Sequence, residues 1–424
     1  MPGVGIRTAD MKAEPPLILD VSRLVSRIGT GPLTGIDRVE AAWLAQAVHH
    51  DHLLLCRIFR GQALLPPEAG PAILRWVSGD ITDLPARPGW RERLARRRGL
   101  PARASGALRS MALVTTSGSG RGLGQHIARH LSGGKAVYLN VGHSNLTSSL
   151  LSNLSEQQRV VMIHDTIPLD YPEFTRAGQS DKFRTRLMTA LSLADMIVTI
   201  SDATATDIDL WRRRLAIPRT PKIVTAHIGT TLTPPDDTAI PPDLDPSKPY
   251  FVTLGTIEPR KNHALLLDAW DILSRTYPNP GIPRLLILGR RGWENHDVLT
   301  RLDNLSPGSP VIERGNLPDG AVAALISHSH GLLMPSRAEG FGLPLTEAAG
   351  RGIPVVSAPL PAAQELLGDY ATYLSPNQPE DWARMVTQLT TAVPMRMKPL
   401  AIPSWDRHFH HITRAFFPDT GHFG

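Results

Sequence analysis

Short apolar runs that end in polar residues recur along this chain and set its expected secondary structure. Leu17-Ile18-Leu19-Asp20-Val21 predicts a first strand. A loop rich in small residues follows over 26–35. Apolar positions at helical spacing then predict a helix over about 36–47. Residues 136–140, 159–163 and 196–200 predict further strands. They run out into Gly142-His143-Ser144-Asn145, His164-Asp165-Thr166 and Ser201-Asp202. Ser201 or Asp202 is placed to cap a helix, because its side-chain oxygen can accept from a free amide of the first turn. Such alternation predicts an α/β protein built on doubly wound parallel sheets.

Residues 233–249 hold six prolines and several acids, the composition of an interdomain linker. After them the alternation restarts, with strands over 250–254, 285–288 and 310–312 and helices over 262–273 and 321–327. An amphipathic helix closes the pattern over 404–417. The expected division is a first domain over 1–235, a linker over 236–249 and a second domain over 250–403.

The most informative stretch runs from Ser336 to Gly350. An apolar run over 330–334 leads into Glu339-Gly340-Phe341-Gly342-Leu343-Pro344-Leu345-Thr346-Glu347, and Ile353-Pro354-Val355-Val356 follows. That reads as strand, loop, short helix, strand. The loop lies at the carboxyl end of a strand, where open α/β sheets bind ligands. Pro344 suits the first helical turn because it needs no donor there. The amides of Phe341, Gly342 and Leu343 can then face an anion, helped by the helix dipole. An anion site flanked by two carboxylates suits a phosphorylated, hydroxyl-rich ligand such as a nucleotide sugar.

This stretch resembles the E-x7-E signature of retaining, family 4-type glycosyltransferases (group 1) of the GT-B fold. The resemblance implies two Rossmann-like domains facing a cleft, with the last helix, 404–420, crossing back to the first. It implies that Glu339 bonds hydroxyls of the donor sugar and Glu347 the ribose diol. Gly255-Thr256-Ile257-Glu258-Pro259-Arg260-Lys261-Asn262-His263 is similar to the family's phosphate-binding loop. The family's lysine maps onto Lys261. Many members place an arginine where Thr256 stands, so Arg260 is expected to supply the second cation. His164 matches a family histidine that faces the transferred hexose, and His143 is a weaker candidate. The Gly29–Gly35 loop resembles the acceptor-side glycine loop, with Gly35 near the acceptor. Leu317, in Arg314-Gly315-Asn316-Leu317, falls where the family cradles the nucleobase. The Gly255–His263 string also looks like that of enzymes using GDP-mannose, which makes mannose the first donor. The expected acceptor is a lipid-linked or polysaccharide intermediate of bacterial envelope or exopolysaccharide synthesis. Two other readings of the same fold are a nucleotide-sugar epimerase and a non-catalytic scaffold of a polysaccharide assembly complex.

Composition narrows the rest. The 424 residues carry 20% charged and 42% hydrophobic side chains, as globular proteins do. One cysteine, Cys56, excludes an internal disulfide and a cysteine-based zinc site. No carboxylate pair sits after a strand, so no metal is expected and no cofactor beyond the donor. Residues 1–20 show no long apolar core, and a cytoplasmic protein without a signal peptide is expected. The net charge of +6 is uneven. Residues 87–109 hold eight arginines and one acid, Glu92, interrupted by Trp90, Leu94, Leu100 and Leu108. This stretch reads either as a solvated insertion or as a peripheral contact with an anionic membrane at the inner face of the plasma membrane. No nucleic-acid motif accompanies it. Gly118–Gly124 lacks the spacing of a dinucleotide fingerprint and reads as a flexible loop.

Overall fold

The computed structural model of the protein describes residues 16–31, 33–131, 135–277, 281–390 and 393–416. The expectations for residues 1–15 and for 417–420 lie outside these. Contacts group the described residues into two units. One runs up to Met162 and adds 186–198 and 217–223. The other takes 163–185, 199–216 and everything from Val224 onward.

The first sheet has eight strands: β1 (Leu17–Asp20), β2 (His52–Ile58), β3 (Gly61–Leu65), β4 (Val114–Thr116), β5 (Val137–Asn140), β6 (Gln158–Ile163), β7 (Met196–Thr199) and β8 (Lys222–Thr225). Their order is β4-β3-β2-β1-β5-β6-β7-β8. β1 pairs in parallel with both β2 and β5. Both faces of such strands are covered, which is why they read as apolar runs and not as alternation. One edge departs from the expected parallel pattern, since β2–β3 and β3–β4 are antiparallel. Phe59 and Arg60 make the tight turn between β2 and β3, with Arg60 at φ 56°.

Residues 87–109 are a folded insertion between β3 and β4. They form the Trp90–Leu94 helix and the start of the Leu100–Met111 helix. Glu92, the acid of the stretch, is fully buried. It accepts from Ser105 Oγ at 2.9 Å and lies 3.7 Å from the Arg109 guanidinium. Residues 118–122 lie outside helix and strand and lead into the Leu123–His130 helix, which Gly122 caps at φ 79°.

The second sheet has six strands: β9 (Tyr250–Leu254), β10 (Arg284–Leu288), β11 (Val311–Arg314), β12 (Leu332–Met334), β13 (Val355–Ser357) and β14 (Thr372–Tyr373). The order is β11-β10-β9-β12-β13-β14, and every recorded pairing is parallel. Successive residues point to opposite faces. Phe251, Leu285, Ile287 and Leu333 pack on one face with Trp270 and Trp382. Tyr250, Val252, Leu286 and Leu332 pack on the other with Leu325 and Leu345. With both faces buried, the carboxyl ends of the strands are left to carry the loops that bind. The Trp405–Phe416 helix lies against the segment after β8: Thr230 N–H donates to Pro403 O at 2.9 Å, and His408 Nδ1 lies 3.1 Å from His227 O. Burial lowers the His408 pKa to about 4, so its ring is neutral.

Candidate functional site

The loop after β9 is shaped by Gly255. Its φ of 144° suits glycine, and a Cβ there would stand 3.1 Å from Lys261 Cε. Gly289, after β10, is tighter still, since a Cβ would lie 1.9 Å from Gly255 O. The chain then turns through Pro259–Lys261, and Asn262 at φ 54° starts the His263–Thr276 helix. Asn262 Nδ2 donates to Pro335 O at 3.2 Å and Pro376 O at 2.9 Å, and Arg337 N–H donates to Arg260 O at 2.7 Å. The loops after β9, β12 and β14 are thereby tied together.

Within this frame three expected site residues meet. Lys261 Nζ lies 2.5 Å from Glu339 Oε1, and an Arg260 terminal nitrogen lies 2.9 Å from Glu339 Oε2. The side chains of Lys261 and Glu339 are 9% and 8% exposed, so these are buried ion pairs. Arg260 Nε also lies 2.6 Å from Glu258 Oε1. Burial pushes the Glu339 pKa upward, but the Arg260 and Lys261 charges outweigh it and hold the carboxyl at about 2. For Lys261 the balance falls the other way, and burial depresses its pKa despite Glu339. The pair Arg260-Lys261 is therefore not two loose cations. It is part of a network with two carboxylates.

Glu339 precedes the Leu343–Gly350 helix, which Gly342 caps at φ 89° and Pro344 enters in its first turn. Phe341 is buried, its ring centroid 6.1 Å from that of His227. Glu347 is half-buried on this helix, with its charge acting on Arg351. His164 stands directly behind the loop. A Cβ on Gly340 would lie 2.4 Å from His164 O, and that carbonyl accepts from Thr204 Oγ1 at 3.2 Å. Ser201 Oγ donates to Gly340 O at 3.0 Å and caps the Asp202–Arg214 helix. Beside Glu339 opens a cavity of about 480 Å³, lined by Asp165, Asp170, Asp207, Trp211, Arg214 and Arg337 among others.

Other expected residues stand apart from this trio. Leu317, after β11, is half-buried and packs on the apolar core of the second sheet. Gly35 is the first residue of the Gly35–Gln46 helix in the first unit, with open space where a Cβ would be. His143 is buried at φ 57° after β5. Sequence reasoning gave no role to Glu258 and Asn262, although both lie inside the quoted Gly255–His263 string. A carboxylate two positions before an arginine was the available signal for Glu258. Nothing local marks Asn262, whose partners lie more than seventy residues away. Among the described residues, no three His, Cys, Asp or Glu side chains gather as metal ligands would.

Residues 237–399 match the family model of glycosyl transferases group 1. The serotype-specific mannosyltransferase WbdA of Escherichia coli is 30% identical over 243 residues, which cover 54% of this chain and 29% of that protein. The O-antigen chain mannosyltransferase B of Escherichia coli is 30% identical over 232 residues, covering 52% of this chain and 58% of its own length. The match thus spans under a third of the first relative and little more than half of the second. Among solved structures, Anabaena Alr3699/HepE in complex with UDP-glucose aligns over 95% of each chain, with a TM-score of 0.56 at 15% identity. Sucrose-phosphate synthase from Thermosynechococcus elongatus aligns over 95% of this chain and 93% of its own, with a TM-score of 0.55 at 15% identity. At such identity the likeness is one of fold. The chain has the GT-B fold, and residues 237–399 of its second half are similar to the glycosyl transferases group 1 family.

Proposed function

We propose that this protein is a retaining glycosyltransferase that moves a hexose, mannose in the first instance, from a nucleotide-diphosphate sugar to a lipid-linked or polysaccharide acceptor of the bacterial envelope. The observation that carries this reading is the buried Arg260–Glu339–Lys261 network at the carboxyl ends of β9 and β12. A diphosphate can exchange with Glu339 for the two cations, and the displaced carboxylate is then free to accept from sugar hydroxyls. Charge grows on the departing diphosphate as the glycosidic bond breaks, and Arg260, Lys261 and the amides of Gly342 and Leu343 stabilise it there. Those groups do the work that a metal does elsewhere, so transfer is expected to survive excess chelator. Glu347 takes the ribose diol, Leu317 the base and His164 the hexose. The adjoining cavity supports a hexose, since its lining carboxylates, Asp165, Asp170 and Asp207, can accept from sugar hydroxyls. The mannosyltransferases among the relatives support mannose as the sugar.

The exposed side chains of Trp90 and Leu94, 63% and 80% accessible, stand among arginines on the folded insertion. They support a peripheral seat on anionic membrane at the inner face of the plasma membrane. No described helix is long and apolar enough to cross a membrane.

The test is a donor panel with product identification. GDP-mannose should yield GDP and a mannosylated acceptor with the anomeric configuration of the donor. A changed nucleotide sugar formed without acceptor would establish an epimerase instead. Because the cations act most on the transition state, Lys261→Ala should lower kcat by roughly 10²–10³, with a smaller effect on KM. Normal kcat in that variant would remove the network from the chemistry.

A further inference from the structure

The folded insertion of the first unit closes around a cavity of its own, with a volume of about 390 Å³. Five arginines line it: Arg93, Arg96, Arg97, Arg98 and Arg103. No carboxylate is among its lining residues. Hydrogen bonds build the turn that gathers them. Arg96 N–H donates to Arg93 O and Arg97 N–H to Glu92 O, both at 2.9 Å, which closes the Trp90–Leu94 helix. Arg96 takes φ 55°, the left-handed conformation in which helix ends usually place glycine. Two of the five are also held through their guanidiniums. Arg103 Nε donates to Pro85 O at 2.6 Å, and one of its terminal nitrogens donates to Leu84 O at 3.0 Å. The Arg97 guanidinium lies 4.9 Å from the centre of the Phe59 ring. These partners are uncharged, so they fix the cations without cancelling them.

The nearby acids are engaged elsewhere. Glu92 accepts from Ser105 Oγ and lies 3.7 Å from the Arg109 guanidinium. Asp83 pairs with Arg75 and accepts from the Trp76 indole at 2.6 Å. Among the described residues, none of the five arginines is ion-paired. Guanidiniums gathered round one cavity repel each other, and an oxyanion held by their forked N–H groups relieves that repulsion. Trp90 and Leu94 are a separate observation. Both are exposed, and their spacing of four residues puts them on one face of the helix that carries Arg93. An apolar pair beside a cationic cavity suits the boundary between acyl chains and headgroups.

We propose that this cavity binds the terminal phosphate of an anionic lipid headgroup, so that the insertion selects a headgroup and does more than sense surface charge. A terminal phosphate carries about 1.5–2 negative charges and offers more acceptor oxygens than a diester, which suits several arginine forks at once. The inference deepens the membrane seat described above and rests on that reading.

The test uses the full chain and phosphatidylcholine vesicles doped with phosphatidic acid or with phosphatidylglycerol, matched in surface charge. The wild type should bind the phosphatidic acid vesicles roughly ten-fold more tightly. Arg93→Gln/Arg98→Gln should bring the two vesicles level with melting temperature unchanged, since both side chains are exposed. Arg87→Gln/Arg91→Gln removes the same charge outside the cavity. It should weaken binding to both vesicles and leave the preference in place. Equal binding of the wild type to both vesicles keeps the membrane seat and overturns the cavity. A preference that survives Arg93→Gln/Arg98→Gln overturns it as well. Inorganic phosphate that binds the wild type and not this variant, while both vesicles are bound alike, makes the ligand a soluble phosphate and overturns the lipid assignment. A wild-type chain that binds neither vesicle refutes the membrane seat itself.

Discussion

Glu339 engages two cations at once, and this limits what each side chain can do before a donor arrives. Arg260 and Lys261 face Glu258 and Glu339, so the charges of the four cancel. A diphosphate must therefore displace a carboxylate to reach them. Glu339→Gln leaves the set one charge more positive. Free GDP should then bind several-fold more tightly, while sugar transfer slows by roughly ten-fold or more through loss of a charge-assisted bond of about 1.5–3 kcal/mol. Calorimetry with GDP and steady-state rates on one donor read the two effects separately. Weaker GDP binding in the variant would show that Glu339 does not compete with the diphosphate. At this scale the sequence was readable where a residue type and its loop carried the message. Lys261 and Glu339 stood out because each follows a strand end. Their direct pairing did not, because it joins positions 78 residues apart in the chain.

Elements were legible where their ends carry a cap. Ser201 predicted the start of the Asp202–Arg214 helix, and its hydroxyl does accept from Thr204 N–H at 3.1 Å. The Pro361–Leu367 helix adds a second support, since Glu365 accepts from the amides of Asp202 and Ala203 at 2.8 and 3.1 Å. The β2–β3 hairpin was not legible. Its strands are continuous apolar runs, which fit a buried helix as well as a strand, and its turn is Phe59-Arg60 without glycine or asparagine. The Asp202–Arg214 helix also holds a carboxyl against its preference. Burial, then the nearby Asp170, raise the Asp207 pKa from an ordinary 3.8 to about 6. An acid raised in this way favours the fold while protonated, and that contribution disappears as pH rises through 6. Asp207→Asn keeps the uncharged shape at every pH. The variant should match the wild type below pH 3.8 and be the more stable of the two above pH 6. Denaturant midpoints measured from pH 3 to 8 test this, and a constant offset across the range would argue against it.

For the whole molecule, two α/β halves, each built on its own sheet, could be read from the repeating strand–loop–helix pattern. The contact units could not, because residues 163–185 and 199–216 join the second unit through long-range contacts. The state of the basic insertion was equally hidden, since it depends on a buried Glu92 that composition marks only as one acid among arginines. Because the insertion is folded, its outward face is fixed. Trp90→Ser/Leu94→Ser should reduce co-sedimentation with phosphatidylglycerol vesicles, and binding by the wild type should fall as salt screens the arginines. Equal binding to neutral vesicles would count against a charged membrane seat.

Cys56 sits in the middle of β2 with no accessible surface, and burial beside Asp20 and Glu40 holds its thiol far above the ordinary range. Thiolate is the reactive form, so this sulfur is closed to alkylating reagents while the chain is folded. A chemist who installs a surface cysteine therefore gains a single reactive handle without removing the native one. Fluorophore pairs or spin labels could be placed on each unit of the otherwise unaltered protein, and the distance between units followed as a donor binds.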